Sequence, residues 1–210
     1  MTADSDGDRL ELYADYVCPF CYLGTRSLAQ YRETRDEPLT VEWHPFDLRS
    51  GKRNPDGSID HEADDGKDDA YFEQAKQNVE RLQDEFGVEM TQVFAGEVDS
   101  LPAQQASWYV SQEYPDRWAT FDEAIYTALW QDARDIGSPD VLASLAESVD
   151  LPVDEIRSAV DDDGLRSELE DRFRSAQRRG VSGVPTFVVD GTATSGAVPP
   201  EHLARLVEQR

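Results

Sequence analysis

Lysine is almost missing from this chain. Lys52, Lys67 and Lys76 are the only lysines among 20 basic residues, set against 44 aspartates and glutamates, for a formal net charge of −24 over 210 residues. A surface of that sign repels nucleic acid and anionic membranes, so neither is an expected partner. Self-repulsion on this scale destabilises a compact state unless salt screens it, and at molar salt the Debye length falls to about 3 Å. The composition is therefore expected to be an adaptation to a very salty, halophilic cytoplasm.

Other scarcities narrow the class further. No apolar run approaches the roughly 18 residues needed to span a bilayer. The opening Met1-Thr2-Ala3-Asp4-Ser5-Asp6-Gly7-Asp8 has neither the basic region nor the apolar core of an export signal, so a cytoplasmic location is expected. Histidine occurs at His44, His61 and His202, and cysteine only at Cys18 and Cys21. A C-x-x-C supplies half of a four-ligand zinc site and the chain has no other cysteine to complete it, only three scattered histidines, so no metal is expected. Two cysteines three positions apart make a poor structural staple; intracellular pairs of this kind are catalytic, redox-sensing or metal-binding.

What is present suffices for a real core: 39% hydrophobic residues and four tryptophans. The length allows one domain, or a domain carrying an inserted one. Residues 9–15 read as a strand, and Pro19 suits the first turn of a helix. Phe20, Leu23, Leu28 and Tyr31 continue that helix to about Asp36. Residues 39–48 read as a second strand, with Pro45 marking a bend or an edge. A Gly/Pro/Asp-rich loop over 49–66 is expected to be too polar to pack, and mobile.

From Asp68 to Arg179 the pattern is helical almost throughout, with Tyr71, Ala75, Val79, Leu82 and Phe86 lining one face. Further helices are expected near 102–114, 117–134, 138–148, 152–160 and 163–179, the last closed by Gly180. A short β-rich run, Val184 to Val189, precedes the hairpin signal Asp190-Gly191 and a weak strand near 192–196. Pro200 to Gln209 reads as a final helix. The predicted fold class is α+β, a small sheet domain (9–66 and 180–210) interrupted by an all-helical insertion (67–179) too long to be a loop.

The cysteines carry the chemistry. Cys18 falls at a strand-to-helix junction, where unpaired N–H groups and the helix dipole favour the reactive thiolate. Cys21 lies one turn on, about 5–6 Å away, a spacing suited to a disulfide. Cys18 is expected to be the exposed nucleophile and Cys21 the more buried resolving thiol. Half a zinc site and a pair of idle buried thiols are the competing readings of the motif alone. A second element, Gly183-Val184-Pro185-Thr186-Phe187, has a Val-Pro step leading into a strand, where either a cis-proline or an ordinary trans one could stand.

Taken together, these segments resemble the DsbA family of thioredoxin-fold thiol–disulfide oxidoreductases, most of all its cytoplasmic FrnE-like branch. The resemblance runs from about Leu10 to Leu206. It is carried by Asp15-Tyr16-Val17-Cys18-Pro19-Phe20-Cys21-Tyr22-Leu23-Gly24, by Trp43-His44-Pro45-Phe46-Asp47-Leu48, and by Gly180 to Gly191, with weaker support near Asp135-Ile136. It implies a thioredoxin fold with a helical insertion between its second and third strands, and a Cys18–Cys21 redox pair. It also implies that Pro185 is cis and packs beside the pair, and that Pro19, Phe20, Val184 and Pro185 form the active-site loop and client-binding edge, Val184 by strand addition. Partners are then protein or small-molecule thiols and disulfides and an unidentified electron donor or acceptor, with no bound cofactor.

One departure matters. Between the cysteines stands Pro19-Phe20, without the histidine of strongly oxidising exported relatives, so a less oxidising poise is expected. Asp15 is expected to cap or fix the turn, ahead of a role in moving protons at Cys21. His44 reads as structural; His61 and His202 as surface residues. Aromatics of the helical block, Tyr126 and Trp130 among them, read as core, some lining a client groove. Two alternatives keep the same fold or none of the chemistry. One is a kappa-class glutathione transferase or 2-hydroxychromene-2-carboxylate isomerase, relatives that typically carry serine in place of Cys18 and no second cysteine. The other is a chaperone-like module with idle cysteines.

Overall fold

The computed structural model of the chain describes residues 8–54, 57–64 and 66–208. Most of the acidic leader and the Gln209 end of the last helix lie outside the described residues. Four strands form one sheet in the order β2-β1-β3-β4: β1 (Arg9–Ala14), β2 (Thr40–Pro45), β3 (Thr186–Val189) and β4 (Thr192–Ser195). Strand β1 pairs parallel with β2, Leu12 opposite Trp43, and antiparallel with β3, Leu12 opposite Phe187.

The two-residue alternation of β1 sorts its side chains onto two faces. Leu10, Leu12 and Ala14 join the main core, whereas Tyr13 joins a smaller cluster with Phe46, Ala176 and Val181. Pro45 does sit on an edge strand, where its missing N–H breaks no ladder. Strand β2 is shorter than predicted: after Pro45 the Phe46 N–H still reaches Ala14 O at 3.0 Å, and the chain then turns away. Asp190 (φ 49°) and Gly191 (φ 79°) form the β3–β4 hairpin, both in the left-handed region that a two-residue hairpin of this kind requires.

Helix α1 (Pro19–Glu33) follows β1, and six helices separate β2 from β3: α2 (Asp69–Phe86), α3 (Leu101–Glu113), α4 (Pro115–Trp130), α5 (Pro139–Ser148), α6 (Val153–Val160) and α7 (Asp163–Arg178). Helix α8 (Pro200–Glu208) closes the described chain. Their starts are written locally: Asp68 and Asp162 accept from the N–H groups of Tyr71 and Leu165 as side-chain N-caps. Residues 87–100 depart from the helical expectation. Left-handed Gly87 stops α2, and the segment carries no regular element. Helix α4 likewise ends at Trp130, ahead of Ala133 at φ 51°.

The loop after β2 is also more structured than expected. A short 3-10 turn spans Ser50–Lys52, and Arg53 bridges to Ile59. The Arg53 guanidinium binds buried Asp47 at 2.6 Å, Asp99 at 2.8 Å and the Gly57 carbonyl at 2.9 Å. A polar loop can be pinned where a charge finds geometry this complete. No described helix is long and apolar enough to cross a membrane.

Candidate active site

The site begins where β1 ends. Residues 15–17 form a tight link into α1, with the Cys18 N–H donating to Asp15 O at 3.2 Å and the Val17 N–H to Asp15 Oδ1 at 3.3 Å. Cys18 is the N-cap of α1 and Pro19 its first residue, as the motif predicts. No side chain caps this terminus. Asp15 therefore fixes the turn before the helix and does not cap the helix itself: its Oδ2 accepts from the Leu48 N–H at 2.8 Å, and its Oδ1 also accepts from Gln104 Nε2 at 3.3 Å.

Both cysteines are free thiols. Cys21 is fully buried, and Cys18, expected to be exposed, retains only 3% exposure. The predicted order of burial stands, but the exposure does not. The reason is tertiary: the Val184 carbonyl lies over Cys18, accepting from Sγ at 3.5 Å. The Val184–Pro185 bond is cis, as the resemblance implied. Gly24 allows this approach. A Cβ there would lie 3.1 Å from Pro185 Cγ and 3.2 Å from Phe187 Cζ, tighter than ordinary contact, so glycine lets α1 press against the proline without either neighbour having to shift. Phe20 is half-buried and packs against the cluster formed by Leu23, Val79, Leu82 and Phe86.

Burial governs the electrostatics. The Cys21 thiol is held well above its ordinary pKa, first by burial and then by its hydrogen bond with Cys18. Asp15, also fully buried, is pushed up to about 6, mainly by desolvation and then by the charge of Asp47, against the pull of its donors. His44 stacks on Tyr13 at 4.5 Å, away from the sulfurs, and burial lowers its pKa. His61 and His202 are exposed. Among the described residues no group of histidine, cysteine and carboxylate side chains could hold a metal. A cavity of about 330 Å³ beside the loop after β2 is lined by Asp47, Arg53, Arg166 and Phe173 among others, and neither cysteine borders it.

Sequence reasoning missed the helical block's share of the site. The Tyr16 hydroxyl hydrogen-bonds Asp122 Oδ1 (2.6 Å) and Ser107 Oγ (2.7 Å), while Trp130 Nε1 donates to Tyr16 O at 2.9 Å. Gln131 Nε2 donates to the Tyr22 hydroxyl at 2.7 Å. Helices α3 and α4 thus grip the residues flanking the cysteines. Helical periodicity marks these aromatics as buried but not what their polar atoms meet.

Such a site on such a sheet defines a thioredoxin-type dithiol protein. A model of the DSBA-like thioredoxin domain matches residues 9–208, and the chain belongs to that family. It is 27% identical over 192 residues to the uncharacterized protein YwbO of Bacillus subtilis, covering 90% of each. Its fold is similar to that of a probable DsbA oxidoreductase from Streptomyces coelicolor (TM-score 0.76, 20% identity, 97% of this chain and 89% of that one). It is also similar to that of a 2-hydroxychromene-2-carboxylate isomerase (TM-score 0.75, 16% identity, 96% and 93%).

Proposed function

We propose that the chain is a cytoplasmic protein dithiol–disulfide oxidoreductase working through Cys18 and Cys21. The observation that carries this reading is the placement of Cys18 at the N-cap of α1, with Cys21 one turn below it and Val184-Pro185 against its sulfur. In the oxidising direction a client thiolate attacks Cys18 Sγ of the Cys18–Cys21 disulfide. The S–S bond breaks, its electron pair leaves on Cys21, and a mixed disulfide forms on Cys18. The client's second thiolate then displaces Cys18, which leaves the client oxidised and the protein a dithiol; the reverse sequence reduces clients.

The remaining roles follow from position. Pro19 and Phe20 shape the active-site loop, and the backbone at Val184 is the edge where an extended client would add as a strand. Asp15, fully buried and with a charge that bears on Cys21, is a proton acceptor and donor for that thiol. Residues 67–179 act as the helical insertion domain of a thioredoxin-like domain formed by 9–66 and 180–210. The isomerase likeness lies in the fold, and the intact Cys18–Cys21 pair favours redox chemistry.

Trapping tests the proposal. Cys21→Ser, in high salt, should accumulate mixed disulfides on Cys18, and Cys18→Ser should abolish turnover of a model dithiol. Anti-aggregation activity surviving in Cys18→Ser, with no redox turnover in the wild type, would support a client-binding module instead.

A further inference from the structure

The cavity of about 330 Å³ lies between α7 and the loop after β2. Arg166, Glu170, Phe173 and Arg174 line it from the helix, three or four residues apart and so on one face. Asp47, Arg53 and Gly57 line it from the loop. In a chain with more than two acidic residues for each basic one, three arginines around one hollow concentrate positive charge. Two of the three are neutralised within the protein, Arg53 by Asp47 and Asp99 and Arg174 by Glu170 and Asp171.

Arg166 is not. It is half-buried, its Nε is closed off from solvent, and among the described residues it meets no hydrogen-bond acceptor and no carboxylate. The other half-buried arginines, Arg26, Arg35, Arg49, Arg53, Arg134 and Arg172, each have a partner. A guanidinium withdrawn from water without a countercharge costs the fold stability. The fold nevertheless seats it closely. Gly57, at φ 87°, lies so near that a Cβ there would come within 2.5 Å of a terminal nitrogen of Arg166. Gly57 is itself fixed: its carbonyl accepts from Arg53 at 2.9 Å, and its N–H donates to Asn54 O at 2.8 Å.

We propose that this cavity is a binding site for a small organic carboxylate, with Arg166 taking the carboxylate group and Phe173 facing the apolar body. The planar guanidinium fork matches the two oxygens of a carboxylate. One uncompensated positive charge suits one negative charge, whereas a phosphate dianion would meet repulsion from Asp47 and Glu170 on the same walls. The volume is at the small end for ligand cavities, so the body is a short chain or a single ring. Neither cysteine borders the cavity, so the site stands or falls apart from the redox reading.

The test is a titration of the ¹⁵N-labelled full chain with potassium benzoate at constant molar KCl, read at the Arg166 Nε–H and Gly57 N–H signals. Both should shift together and saturate. Arg166→Gln, read at Gly57, should bind about tenfold more weakly or worse, the scale of a hydrogen bond to a charged group. Its melting temperature without benzoate should stay level or rise, because no partner within the protein is lost. Arg178→Gln removes the same charge from an exposed α7 residue outside the cavity and should bind like wild type. Shifts that never saturate, or that persist unchanged in Arg166→Gln, mean an adventitious ion only and overturn the proposal. Tighter saturation by potassium phosphate under the same conditions would overturn the carboxylate assignment. An Arg166→Gln variant that melts lower would make the arginine structural and overturn it too.

Discussion

Cys18 Sγ lies 3.5 Å from the carbonyl oxygen of Val184, a residue from the far end of the chain. The contact exists because β3 lies beside β1 and delivers Val184-Pro185 to the N-terminus of α1. It closes the site over the first sulfur, so client access depends on this edge.

Gly24 sets how near α1 comes to that edge. Gly24→Ala adds helix propensity worth about 1 kcal/mol, but its methyl meets Pro185 and fully buried Phe187 at 3.1 and 3.2 Å. Neither neighbour is a flexible chain end, so the clash should win, with a net loss of about 1–2 kcal/mol and slower dithiol turnover. Denaturant unfolding and a turnover assay on the same variant check both; a more stable variant would show that the contact yields.

The buried carboxyl of Asp15 makes stability pH-dependent. Its folded pKa of about 6 exceeds the ordinary 3.8, so the fold favours the neutral acid. The contribution is fully present below about pH 4 and is lost as pH rises through 6, a decline of about 3 kcal/mol. Asp15→Asn, neutral throughout, should lack that decline relative to wild type. Unfolding free energies at pH 4 and pH 8 in constant high salt measure the difference, and parallel pH profiles would contradict it.

Arg53 holds together the loop after β2. Removing it leaves Asp47, only 4% exposed, without its countercharge. Arg53→Ala should cost about 3–5 kcal/mol. Arg53→Lys should recover only part, because one ammonium cannot match the fork that reaches Asp47, Asp99 and Gly57 together. Chemical denaturation reads the loss directly.

The charge of −24 predicts salt dependence of the whole fold. The melting temperature should climb with KCl from millimolar to molar concentrations as like charges are screened. A flat or falling profile would detach the acidic surface from any adaptation to salt.

Pro19-Phe20 predicts the redox poise. With no histidine between the cysteines, the reduction potential should lie well below the roughly −120 mV of the strongly oxidising exported enzyme. Equilibration with glutathione buffers measures it, and a value near that figure would refute the inference.

Much was legible in one dimension because it depends on neighbours along the chain. Cys18 at a helix start, Cys21 one turn on and the Asp190-Gly191 hairpin all follow from local geometry. Burial of Cys18, the pinning of Arg53 and the setting of Asp15 do not, because each is made by residues far off in sequence: Val184, Asp99, Gln104 and Leu48. The same holds for Tyr126. Periodicity places its ring in a core, but its meeting with Tyr16 and Tyr22 and the solitude of its hydroxyl exist only once α4 is laid against α1. Neighbours along the chain are enough to say which atoms can do redox chemistry and where helices and turns begin. Tertiary structure decided how deeply those atoms are buried and which dipoles and charges surround them, since desolvation is a property of three-dimensional packing.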